Sequence, residues 1–242
     1  MKASRYFCLP MAFVAFFLAS CSSQLVQPKA DPEVLAPTDI LDFATLYAQN
    51  CAGCHGTEGR GGAAIALANP VYLAIADDAS IRKVIANGSR GTAMMPFAQS
   101  AGGMLTDAQV DVITKGIRSR WSQQVNLDAA TAPSYAPKAA GDPQRGEAAY
   151  KIYCESCHGP GGRGGQKASA ITDGSFLALL NDQELRTIVI TGRPELAAPD
   201  WRGNVPGRPM SDQDVTDVVA WLVSRRVQNP GQPYAASNFA QH

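Results

Sequence analysis

The chain has 242 residues, long enough for two small domains or one medium one with its own core. Its 21 basic residues balance 21 acidic ones, so it lacks the one-signed charge that a nucleic-acid partner requires, and nucleic acid is excluded as a partner.

Residues 1–20 place Lys2 and Arg5 ahead of an apolar stretch from Phe7 to Leu18, followed by small residues. That is the layout of a secretory signal, and the stretch is too short to span a bilayer. Its end, Leu18-Ala19-Ser20-Cys21, resembles the lipobox of bacterial lipoproteins. The resemblance implies cleavage before Cys21 and lipidation of that cysteine, whereas an ordinary cleaved signal would leave it unmodified. Lys2 and Arg5 are the only charges lost with the signal, so attachment to a lipid bilayer would depend on acyl chains at Cys21 rather than on a basic patch. Residues 21–37 then serve as a tether.

Beyond the tether the chain repeats itself. Tyr47 and the run CAGCHGTEGRGG from Cys51 return as Tyr150 and CESCHGPGGRGG from Cys154, an offset of 103 residues. Two duplicated domains are expected, 38–121 and 142–227. The linker between them, 122–141, is rich in Ala, Pro, Gln and Thr and has no apolar stripe, and a loose tail follows at 228–242. Each motif ends a helical segment. Ile40, Phe43, Ala44 and Tyr47 share a face in the first repeat, and Asp142-Pro143 supplies a cap and first-turn proline before Ala149, Tyr150 and Tyr153 in the second. Residues 79–87 and 182–191 read as helices closed by Gly88 and Gly192, glycine being able to take the left-handed terminal position. The last helix of each repeat opens with a capping box, Thr106 to Gln109 and Ser211 to Asp214. Apolar stripes then run through Val110, Ile113, Ile117 and Trp121, and through Val215, Val218 and Leu222. No segment alternates with a two-residue period, so the expected fold class is all-α with few or no strands.

The six cysteines leave no room for a structural disulfide. Cys8 falls in the signal, Cys21 is the lipid position, and the other four form two CxxC pairs, each followed by histidine. Covalent haem c needs two thiols to add to its two vinyl groups and a histidine directly after the second thiol to reach the iron from the same side. CxxCH supplies all three. Zinc is the rival, but it wants four ligands close together and these pairs lie 103 residues apart. A thioredoxin-like pair would leave both histidines unexplained. Two haem c groups are therefore expected, one on Cys51, Cys54 and His55, the other on Cys154, Cys157 and His158. The glycines after each motif are followed by no P-loop lysine and let the backbone pass close to haem rather than bind phosphate. Arg60, Arg90, Arg163 and Arg193 either pair with haem propionates or face solvent.

On these motifs the chain resembles the class I cytochromes c, and specifically diheme proteins built of two fused class I units, over residues 39–121 and 142–227. The resemblance implies that an N-terminal helix carrying CxxCH crosses a C-terminal helix, and that a methionine before a proline is the second iron ligand. Gly146 and Tyr150 match the family's glycine-to-aromatic spacing, with Trp221 as their contact on the last helix. The first repeat has Phe43 in place of that glycine, which implies a wider crossing. Met94-Met95-Pro96 matches the methionine loop, with Met95 lying 40 residues after His55. Met95 is thus the implied axial ligand of the first haem, which should be the high-potential one because a thioether favours ferrous iron. Met94 is the alternative if Met95 packs in the core.

The second repeat departs from that pattern. Forty residues after His158 stands Ala198, followed by Pro199 as Met95 is followed by Pro96. Met210 is the one methionine of this repeat, and the register of the final helices sets it over Leu105, a core position. Three readings stay open for the second iron: an open or water-bound position, Met210 swinging in, or another group such as His242.

These features point to electron transfer rather than catalysis. The expected protein is a membrane-anchored, periplasm-facing carrier or an electron-transfer subunit of a respiratory complex, with redox donor and acceptor proteins as partners. The rival is ligand binding or peroxidase-like chemistry at an open second haem. Peroxide cleavage needs an acid or base over the iron, for which Glu195 and Asp200 are the local candidates.

Overall fold

The computed structural model describes residues 35–123, 127 and 132–227. The signal, Cys21, most of the tether, and the tail with His242 lie outside the described residues.

The two repeats are assembled from the same parts. In the first, Asp42 accepts from the Thr45 N–H and starts helix α1 (Phe43–Asn50), which breaks at Cys51 before the single turn α2 (Ala52–His55). Helices α3 (Pro70–Ile75), α4 (Asp78–Asn87) and α5 (Asp107–Trp121) follow. The second repeat gives α6 (Pro143–Tyr153), α7 (Glu155–His158), α8 (Gly174–Ala178), α9 (Asp182–Thr191) and α10 (Asp212–Ser224). Strand pairing among the described residues is confined to two isolated bridges, Ala98–Leu105 and Arg193–Ala198, so the chain is all-α.

Local signals explain most boundaries. Both capping boxes form, with Thr106 and Gln109 exchanging hydrogen bonds at the start of α5 and Ser211 and Asp214 doing so at α10. Ile40 does not share the first helix, because Asp42 takes the cap; it packs on the core from extended chain instead. Helices α3 and α8 are too short to show a periodicity. Their caps are nonetheless written in the sequence: Asn69, followed by Pro70, accepts from the N–H groups of Val71 and Tyr72, and Asp173 accepts from those of Ser175 and Phe176.

The first and last helices of each repeat pack together, α1 on α5 and α6 on α10, around separate cores. Tyr47 meets Trp121 edge-on at 5.0 Å between ring centroids, whereas Tyr150 stacks on Trp221 at 4.3 Å. At the crossing the small residue changes sides. A Cβ on Gly146 would lie 2.0 Å from the Asp217 carbonyl oxygen, so α6 and α10 touch backbone to backbone there. In the first repeat a Cβ on Gly116 would instead strike the ring of Phe43. A side chain fills that crossing, in line with the separation implied by Phe43.

The repeats are not beads on a string, since together they form one compact unit. Val71 on α3 belongs to the second core, and Ile75 packs against it. Asn69 donates to the Thr191 carbonyl at 3.2 Å, and Asn181, the cap of α9, donates to Ser89 Oγ at 2.7 Å and to the Arg90 carbonyl at 3.0 Å. The connecting segment is clamped as well. Tyr135 packs against the first core, while Arg186 of α9, only 2 % exposed, donates to the carbonyls of Ser134 and Tyr135, to Thr216 Oγ1 and to Asp212. Composition marks 122–141 as a linker, but Arg186 makes its second half part of the structure.

Candidate functional site

Each CxxCH motif straddles the break between a long helix and a one-turn helix. Cys51 and Cys154 occupy the break itself, with φ near −120°. The second cysteine and the histidine then lie on the next turn. A tyrosine ties the turn back to the helix that leads into it: Tyr47 Oη donates to the Gly56 carbonyl at 2.8 Å, and Tyr150 Oη to the Gly159 carbonyl at 2.5 Å. Burial pushes both phenols up to about 12, so they remain donors at neutral pH. All four motif cysteines are free thiols, and burial pushes Cys51 up to about 11 and Cys154 up to about 12.

The histidines are oriented alike. His55 Nδ1 lies 2.8 Å from the Ile65 carbonyl, and His158 Nδ1 lies 2.8 Å from the Ser169 carbonyl. A carbonyl only accepts, so Nδ1 carries the proton and Nε2 keeps its lone pair, the tautomer a metal requires. Burial also lowers the His55 pKa, against the opposing effect of the Ile65 carbonyl, which favours the neutral ligating form. Paired free thiols beside an imidazole with an available Nε2 fit covalent haem c in both repeats. Bound there, haem c supplies one-electron redox chemistry.

The loops that would provide the sixth ligand hang from the ends of α4 and α9. Gly88 and Gly192 do have positive φ, 69° and 62°, but ψ is near 180° in both, so this is the glycine-only extended region rather than a left-handed cap. That conformation lays the loop against the helix end. A Cβ on Gly88 would lie 2.6 Å from the Met94 carbonyl oxygen, and one on Gly192 would lie 2.3 Å from that of Pro199. Backbone bonds then fix the register. The Ala98 N–H donates to the Ala86 carbonyl and the Trp201 N–H to that of Ile190, both at 3.1 Å. Each acceptor stands two residues before its glycine, so Pro96 corresponds to Pro199 and Met95 to Ala198.

Met95 is 64 % exposed and Met94 is half-buried. The alternative that Met95 packs in the core is therefore not what the fold adopts. Met210 is 1 % exposed, as Leu105 is also buried; its N–H donates to the Trp201 carbonyl at 3.0 Å, and Asn204 Nδ2 lies 3.7 Å from its sulfur. The arginines differ among themselves. Arg60, Arg90 and Arg163 are exposed, whereas Arg193 is half-buried, ion-paired with Glu195 and donating to the Gly62 carbonyl of the other repeat at 3.3 Å.

The family model for cytochrome c oxidase, cbb3-type, subunit III matches residues 38–116 and 141–222. The chain belongs to that family. As a member of this cytochrome c family it binds haem c and transfers electrons. It is 30 % identical over 155 residues to the cbb3-type cytochrome c oxidase subunit CcoP of Azospirillum sp. (strain B510), a match covering 57 % of this chain and 47 % of that protein. The chain thus spans about half the length of this curated relative. Among solved structures, a reducing HAO-like protein complex of Kuenenia stuttgartiensis aligns at 18 % identity and TM-score 0.44, covering 80 % of this chain and 100 % of that one. A thiosulfate dehydrogenase of Marichromatium purpuratum aligns at 18 % identity and TM-score 0.31, covering 83 % and 49 % respectively.

Proposed function

We propose that the protein carries two haem c groups and works as a periplasm-facing electron-transfer subunit, anchored to a bacterial membrane by lipid on Cys21 and serving a respiratory complex of the cbb3 oxidase kind. The observation that carries the two-haem reading is the duplicated histidine geometry: His55 and His158 each give Nδ1 to a carbonyl at 2.8 Å and keep Nε2 for a metal. Cys51, Cys54 and His55, with Met95 as sixth ligand, hold the first haem. Cys154, Cys157 and His158 hold the second, and the two units run 38–121 and 142–227. A donor and an acceptor protein exchange electrons with them. No helix among the described residues is long and apolar enough to cross a membrane, and acylated Cys21 provides the attachment in this reading.

Intact mass of protein matured in a host with haem-attachment machinery should show two covalent haems and lipid on Cys21. Replacing Cys154 and Cys157 with alanine should remove one haem and leave the other. Cys21→Ser should release the protein from membranes with an unchanged haem spectrum; retention of that variant on membranes at high salt would rule out the anchor. Met95→Ala should lower the potential of the first haem by on the order of 0.1 V, a fraction of the ~0.8 V that axial ligands command, and abolish the sulfur-to-iron charge-transfer band. An unchanged band would move the assignment to Met94.

A further inference from the structure

The second sixth-ligand loop keeps the architecture of the first without its sulfur. It is one residue shorter from glycine to proline, Gly192 to Pro199 against Gly88 to Pro96, and is closed by a short helical turn at Pro194–Leu196 with Ala197 in the left-handed region at φ 60°. Arg193 and Ala198 exchange two backbone hydrogen bonds at 3.0 Å. The Arg193 side chain reaches across to Gly62, whose own Cβ position is blocked by the Cys54 carbonyl oxygen at 2.1 Å. The loop is therefore braced from within and from the other repeat. Met210 is held in the core at both its backbone and its sulfur, so bringing it to the iron would require unpacking the residue that precedes the cap of α10.

The charged groups near this loop are already engaged. Glu195 is paired with Arg193. Asp200 is paired with Arg202, accepting at 2.6 Å from Nη2 and 3.1 Å from Nε. Neither carboxylate is a free acid or base for peroxide cleavage. What the loop presents instead is apolar: Leu196, 68 % exposed, then Ala197 and half-buried Ala198. Distal polarity is among the factors that decide which ligands a haem takes, and an apolar surface with no unpaired carboxylate favours a neutral one.

We propose that the second repeat is a binding site for a small neutral diatomic ligand of the carbon monoxide, nitric oxide or dioxygen class, taken at the haem face where Ala198 replaces methionine. This rests on the two-haem reading above and goes beyond it, since a carrier needs no exchangeable ligand. Ligand occupancy at the second haem would set how readily that haem accepts an electron while leaving the first haem unaltered.

The test is carbon monoxide titration of the fully reduced holo-protein, followed in the visible spectrum, alongside haem counting by intact mass. One carbon monoxide per two haems is the expected end point, with half of the haem absorbance unmoved. Ala198→Met should reduce the responding fraction from half to almost none. Met210→Leu, a volume-conserving core change, should leave the titration as it is and covers the case in which the first variant does not fold. Two covalent haems with no carbon monoxide response would overturn the ligand site while sparing the two-haem reading, as would a response that appears only in Met210→Leu. Rapid peroxide turnover by the natural protein would replace it with a catalytic site. A single haem, on Cys51 and Cys54, would defeat both readings together.

Discussion

Where the first and last helices cross, the two repeats solve one packing problem with the bulk on opposite sides. Counted from the capping boxes, Gly116 of α5 stands where α10 has Trp221; counted from the CxxCH motifs, Phe43 of α1 stands where α6 has Gly146. Phe43 fills the space over Gly116, and Trp221 fills the space beside Gly146. One large and one small residue are retained at each crossing because the interior is close-packed and volume there is felt to the methylene. The loops after α4 and α9 differ in the opposite manner: glycine, proline and backbone register persist while the residue before the proline is exchanged, Met95 for Ala198. Packing constrains volume and leaves position free. In the reading proposed above, ligation depends on one atom and would be lost with one residue.

The sharpest way to break the comparison is to put bulk on both sides of one crossing. Gly146→Phe would drive a ring into the Asp217 backbone, and we expect a loss at or above the upper end of the ~1–3 kcal/mol typical of overpacking, enough to unfold the second repeat. Gly116→Trp should damage the first repeat by a smaller amount, because its obstacle is the Phe43 side chain, and Phe43→Gly in the same chain should recover part of the loss. Chemical denaturation of the singles and the double checks this, and strictly additive effects would sink the compensation argument.

A second experiment asks whether the repeats act as one body. Arg186→Leu leaves the Ser134 and Tyr135 carbonyls and Asp212 without their buried donor, and should cost about 2–3 kcal/mol, below the full penalty for a broken buried pair because Asp212 is partly exposed. Faster proteolysis at 132–141 should accompany it. If stability falls while that segment stays protected, Arg186 supports α9 and α10 only and does not clamp the connection.

The smallest expected effect sharpens the account of the α6–α10 crossing through pH. Burial pushes the Asp217 carboxyl up, but hydrogen bonds from Arg145, the Asp142 N–H and Gln213 outweigh it and hold the group below its ordinary value of 3.8. A carboxylate depressed in the folded state contributes stability that is fully present above the unfolded value and is lost as pH falls through the folded one. Asp217→Asn should therefore cost ~1–2 kcal/mol at pH 7, with the gap to the natural protein narrowing below pH 4. Parallel stability curves down to pH 2 would show that these bonds do not depend on the charge.

The duplication, both CxxCH motifs, the all-α class, the closing glycines and both capping boxes could be read from the sequence alone, because each is a local matter: a spacing along a helix, a cap three residues from its partner, a φ that only glycine adopts easily. The correspondence of Met95 with Ala198 was also legible by counting from the histidines. Packing decided the rest. Nothing local marks Arg186 as the buried staple of the connecting segment, since its partners Ser134 and Asp212 lie 52 and 26 residues away in the chain. Nothing local pairs Phe43 with Gly116 or seats Val71 in the core of the other repeat. Short-range rules fix which residues can carry a cofactor, whereas burial and partnership depend on which distant surfaces meet, and that is settled only when the chain closes on itself.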